Sequence, residues 1–138
     1  MCYNVENLRN EVHKMDYIKF REKKMKTAGA WFVGVFMREI LHEYPKFCND
    51  INKRSDFIKY FHKEYGENLG YTFDTTKAKC YAVIEIIKAG RVLDAIEYVI
   101  EANEKKVPEE AYEAATALLD DIVKDKIILP DAVEEEEE

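Results

Sequence analysis

Apolar residues at Val5, Leu8, Val12, Met15, Ile18 and Met25 have the spacing of one helical face, and Asn4 is placed to cap it. The pattern predicts a long first helix over 4–26. Lys19 and Glu22 stand where a heptad repeat needs apolar side chains, so the stripe suits local packing rather than a long coiled coil. Residues 28–37, AGAWFVGVFM, carry no charge. WFVGVF alone would suit a buried strand, but the run continues through REILHEY beyond strand length, so a core helix ending before Pro45 is predicted.

After Pro45, Phe47, Ile51, Ile58, Phe61 and Tyr65 share a helical face, with Ser55 a cap for a restart and Gly66 the stop. GENLGYTFD, residues 66–74, reads as a connector that ends with Asp74 capping the next helix. Cys80, Val83, Ile84 and Ile87 form a stripe halted at Gly90, and Val92, Ala95, Ile96, Val99 and Ile100 form another. The last helix has Pro108 in its first turn and Glu109 and Glu110 at its positive end. Ala111, Ala115, Leu118, Leu119 and Ile122 face inward, and Lys124 and Lys126 complement the far end.

The elements are all helical, and composition agrees: 47% of the 138 residues are hydrophobic, with 5 Gly and 3 Pro, too few turn residues for a many-stranded sheet. The expected fold is all-α: a single irregular bundle of five to six helices over 1–130, followed by a disordered acidic tail over 131–138. No apolar run approaches the roughly 18 residues of a membrane span, and MCYNVENLRN lacks the basic and apolar regions of a secretory leader. Cys2, Cys48 and Cys80 are odd in number and form no metal-ligand spacing. Three free thiols in a reducing, cytoplasmic setting are expected, with Cys48 and Cys80 in the core.

Charge divides the chain. Residues 1–70 carry 13 basic and 10 acidic side chains, whereas residues 71–138 carry 8 and 18. In the acidic half, Asp94, Glu97, Glu101 and Glu104 fall on one helical face, followed by Glu109, Glu110, Glu113, Asp120 and Asp121. This negative stripe suits a protein partner with a basic surface, such as one that handles nucleic acid; an ordinary solvated helix face gives the same pattern. In the basic half, Lys19, Arg21, Lys23, Lys24 and Lys26 are clustered, and Lys53, Arg54, Lys59 and Lys63 lie beside Tyr60 and Phe61. These could hold phosphates and stack bases, although basic residues also favour a helix C-terminus and the aromatics fit the core stripe.

Chemistry is hard to find. Glu39-Ile-Leu-His42 matches the Glu-x-x-His of di-metal bundles, but the second copy such a site needs is missing, and a surface Glu with a partly buried His accounts for it. Ser55 is the single serine, and no glycine-rich phosphate loop is present. Ile86, Gly90, Ile96 and Val99 fit the slots of a helix-turn-helix, yet Ile86 is too large for the close approach. Asp94, Glu97 and Glu101 would also face the phosphates. The sequence therefore points to a small non-enzymatic interaction or regulatory protein with no cofactor and no metal. It would bind a basic protein through the acidic stripe; nucleic-acid binding by residues 19–26 and 53–63 is the alternative.

Overall fold

The computed structural model describes residue 25, residues 27–102 and residues 108–131. The expected helix over 4–26 except Met25, with the basic residues Lys19, Arg21, Lys23, Lys24 and Lys26, as well as Cys2, the stripe residue Glu104, and the tail from Ala132 onward lie outside them. The described chain is an all-helical bundle without strands: α1 (Ala30–Phe47), α2 (Ile51–Phe61), α3 (Phe73–Lys88), α4 (Val92–Ala102) and α5 (Glu109–Val123).

The uncharged segment is the central helix, as its length implied. Phe32, Val33, Phe36, Met37 and Ile40 are buried, and α2, α3, α4 and α5 all pack on α1. The helix starts later than the uncharged run does. Ala28 belongs to a preceding turn that closes with Gly29 N–H donating to Met25 O at 2.7 Å, and Gly29 sits at φ 88°, where a side chain is strained. The Lys79 Nζ reaches across from α3 to donate to Ala28 O at 2.8 Å and lies over the Phe32 and Tyr71 rings. Burial among them lowers the Lys79 pKa.

At its other end α1 passes through Pro45 and continues to Phe47, correcting the expected stop. Proline removes a single amide donor so close to a helix end. Buried Tyr44 and Phe47 hold the last turn, Phe47 stacking on Phe57 of α2 at 4.9 Å. Asp50, not Ser55, caps α2: its Oδ1 accepts from the amides of Asn52 and Lys53 at 2.9 and 3.1 Å. Ser55 lies inside the helix, and Ile51, in its first turn, is 71% exposed rather than part of the core stripe. Beyond Phe61 the helix widens into a π turn, His62–Gly66, so the break does come at Gly66.

Thr72, not Asp74, caps α3, its hydroxyl accepting from Thr75 N at 3.1 Å. Asp74 sits in the first turn, where its charge still meets the positive helix end. Gly90, at φ 72°, separates α3 from α4. α4 leans on α1 and α5 more than on α3, which is not how a helix-turn-helix pair packs. Pro108 precedes α5 at the capping position instead of occupying its first turn.

The core has two parts. Phe32, Phe36, Phe57, Phe61 and Tyr65 form an aromatic cluster joining α1 to α2, with centroid spacings of 4.9 Å for Phe36–Phe61 and Phe61–Tyr65. On the opposite side, Gly34 meets buried Ala111 of α5 and Val99 of α4, so small residues let three helices approach closely.

Candidate interaction surfaces

α4 and α5 pack against each other and turn carboxylate-bearing faces to solvent. Of the predicted stripe, Glu97 and Glu101 are exposed, whereas Asp94 is half-buried and paired with Arg91 at 3.4 Å. On α5 the carboxylates divide by face. Glu110 accepts a hydrogen bond from Trp31 Nε1 at 2.7 Å, and Asp121 pairs with Arg38 at 2.7 Å. These two contacts tie α5 to α1. Asp120 pairs with Lys124 at 3.0 Å. Glu97, Glu109 and Glu113 are exposed and carry no ion pair among the described residues.

The basic candidates are split. Lys53 and Lys59 on α2 and Lys63 in the π turn that follows are exposed, as is Tyr60, 50% exposed on α2. Arg54 points the other way: its guanidinium stands 5.1 Å above the Tyr81 ring of α3, with Nε buried and lacking a hydrogen-bond partner. A shallow groove of about 380 Å³ runs beside Tyr60 over Phe47 and Phe57. Lys46 and Lys53 line it, but so do Glu43 and Asp56, which offset their charge.

Among the described residues, most groups with chemical potential are paired or covered. His42 is exposed instead of partly buried, and its Nδ1 lies 3.0 Å from Glu43 Oε2. The bond to His42, aided by Lys46, holds the Glu43 carboxyl below its ordinary pKa despite partial burial. Among the described residues no cluster of three or more His, Cys, Asp or Glu side chains is arranged to hold a metal. The His62 Nδ1 is 2.7 Å from the Thr76 hydroxyl, the imidazole–hydroxyl pairing that nucleophilic catalysis uses, but Thr76 is 0% exposed and no substrate reaches it. Cys80 is in the core as expected, and burial pushes its thiol up to about 12. Cys48, expected in the core, is exposed at the end of α1.

A feature the sequence reading missed lies along the outer side of α1. After α5 the chain turns back through Asp125, at φ 60°, with Lys126 N–H donating to Asp121 O at 2.8 Å. This return brings Ile127 and Ile128 beside Val35, Leu41 and Pro45, and the five enclose an open apolar cleft of about 680 Å³ with Arg38, Glu39 and His42 on its lips. Pro45 has no N–H, so the Leu41 carbonyl lacks the amide donor an ordinary residue would supply. Ile128 is 82% exposed there.

Compared with known proteins, the chain matches no family model, no curated protein and no solved structure. No helix among the described residues is long and apolar enough to cross a membrane.

Proposed function

We propose that the protein is a small, non-enzymatic interaction or regulatory protein that binds a basic protein partner through the outer faces of α4 and α5, in the cytoplasm. The observation that carries this reading is the set of exposed carboxylates Glu97, Glu109 and Glu113, without ion pairs among the described residues, on two helices packed against each other. Asp94, Glu110 and Asp121 on the same helices are taken up by Arg91, Trp31 and Arg38, and Asp120 by Lys124. Charge placed this way raises encounter rate and excludes acidic partners more than it adds affinity.

The test compares the wild type with a variant carrying Glu97→Gln, Glu101→Gln, Glu109→Gln and Glu113→Gln, both immobilised and exposed to a basic protein such as a histone at low and physiological salt. Association should slow in the variant and lose its salt dependence while dissociation changes little. Equal association rates for the two proteins would refute the reading.

The alternative, nucleic-acid binding, draws support from Lys53, Lys59 and Lys63, exposed and without ion pairs among the described residues, around half-exposed Tyr60. A salt-sensitive complex with single-stranded oligonucleotide that is lost on Tyr60→Ala would favour it.

A further inference from the structure

We infer that the cleft on the outer side of α1 is a contact between two copies of this chain, each seating its Ile128 in the cleft of the other across a two-fold axis. The inference goes beyond the reading of α4 and α5 and does not depend on it, because Glu97, Glu109 and Glu113 do not line the cleft.

A two-fold contact presses one patch against itself, so the patch must carry a projection beside a recess, and both signs of charge. The outer faces of α4 and α5 fail that condition, since Glu97, Glu109 and Glu113 would meet like charge. The α1 face meets it. Ile128, 82% exposed, projects beside a recess of about 680 Å³ lined by Val35, Leu41 and Pro45, which has room for an incoming isoleucine.

Charge on this face is mixed as well. Arg38, Glu39, His42, Glu43 and Lys46 follow one another along α1, and His42 aside, two cations balance two carboxylates. Within one copy Arg38 turns to Asp121, and Glu43 to His42 and Lys46. Glu39 has no ion pair among the described residues. The part of α1 that lines the cleft runs from residue 35 to residue 45. A two-fold axis crossing its middle sets the two helices antiparallel, with Val35 of each copy over Pro45 of the other and Glu39 within one turn of Arg38 and His42 of the second copy. A parallel pair would instead set each charge against its own copy, so the charges select the antiparallel arrangement. One helix and one chain return make a contact smaller than a standard interface, and the dimer is accordingly weak.

Sedimentation velocity of the full-length protein from about 10 µM to about 1 mM tests this, and a sedimentation coefficient that rises from monomer toward dimer is expected. Ile128→Arg, at an exposed site, keeps the helical circular dichroism and should weaken the dimer about tenfold or more, because it brings a charge into an apolar recess. Glu39→Lys should weaken it too, by facing Arg38 of the second copy, and adding His42→Glu to that variant should regain part of the loss. The glutamine variant of α4 and α5 should dimerise as wild type does at physiological salt.

A monomer throughout the series overturns the inference and leaves the cleft to some other occupant. A dimer indifferent to Ile128→Arg also overturns it, since that dimer is built on another face, as does one that the α4 and α5 variant splits. If Glu39→Lys leaves the dimer unchanged, the antiparallel pairing across α1 is refuted.

Discussion

Adding a methyl group at Gly34 would place a carbon 2.8 Å from the backbone oxygen of Ala111, 2.9 Å from its Cβ and 3.0 Å from Val99 Cγ1. Two of these three neighbours belong to α5, and the tightest is a main-chain atom that cannot rotate away. Gly34→Ala therefore forces α1 and α5 apart or bends one of them. Overpacking of this kind costs about 1–3 kcal/mol. Against it stands the gain from replacing a mid-helix glycine by alanine, about 0.5–1 kcal/mol. The net expectation is a loss of about 1–2 kcal/mol, since the clash is with backbone and lies at the upper part of the overpacking range. Trp31, the single tryptophan, donates to Glu110 across the same helix pair, so its fluorescence reports this contact directly. Urea unfolding followed by tryptophan emission and by circular dichroism should show a lower midpoint, with native emission shifted even before unfolding. A Gly34→Ala protein as stable as wild type, or more stable, would show that α1 and α5 are not in close contact here and refute the placement of α5.

Three further outcomes follow from the same packing. Phe32→Ala, at a ring 1% exposed that touches Phe36 and Phe61, should lower the unfolding free energy by about 3–5 kcal/mol, and an unmoved denaturation midpoint would place it outside the core. Asp125→Gly should raise stability by about 0.5 kcal/mol, because Asp125 sits at φ 60° with its side chain exposed; a lower melting temperature would contradict the turn. At Cys80 the folded thiol keeps its proton up to about 12, while the unfolded chain ionises from the ordinary 9.0. Ionisation thus pulls toward the unfolded state, and wild type should lose stability relative to Cys80→Ala as pH rises through that window; parallel pH profiles for the two would refute the burial.

Where the fold was legible, one strong signal dominated its surroundings. The ten uncharged residues from Ala28 had to be buried somewhere, Gly66 marked the end of a helical stretch, and Gly90 marked a chain reversal that side chains resist. The capping residues were harder to read, because several oxygens compete within a few positions. Asp50 and Ser55 both precede apolar residues, but Asp50 stands where the chain leaves extended geometry after α1, and α1 ended later than its proline suggested. Thr72 displaced Asp74 for the same reason: the cap is the residue that holds extended φ and ψ at the turn, which depends on where Gly70 reverses the chain. Ile51 kept the helical spacing of the core stripe yet faces water, because it stands in the first turn of α2, where burial begins only later, at Phe57, Ile58 and Phe61.

Surfaces were less legible than the core because pairing across helices is a tertiary property. Lys53 and Arg54 are neighbours in a basic cluster, but successive helical residues point roughly 100° apart, so one meets solvent and the other lies over Tyr81. Asp94 has the spacing of the acidic stripe, yet Arg91, one turn earlier, takes up its charge. Periodicity also assigns every apolar residue to a single buried face. Val35 and Pro45 lie off that face of α1, and Ile127 and Ile128 follow the last helix, so neither segment looked unsatisfied by itself. Only the return of the chain at Asp125 sets them together, and a left-handed aspartate carries no periodic signal. A cleft assembled from the backs of two elements is invisible to any reading that asks which residues each element buries, and the cleft on α1 is of that kind.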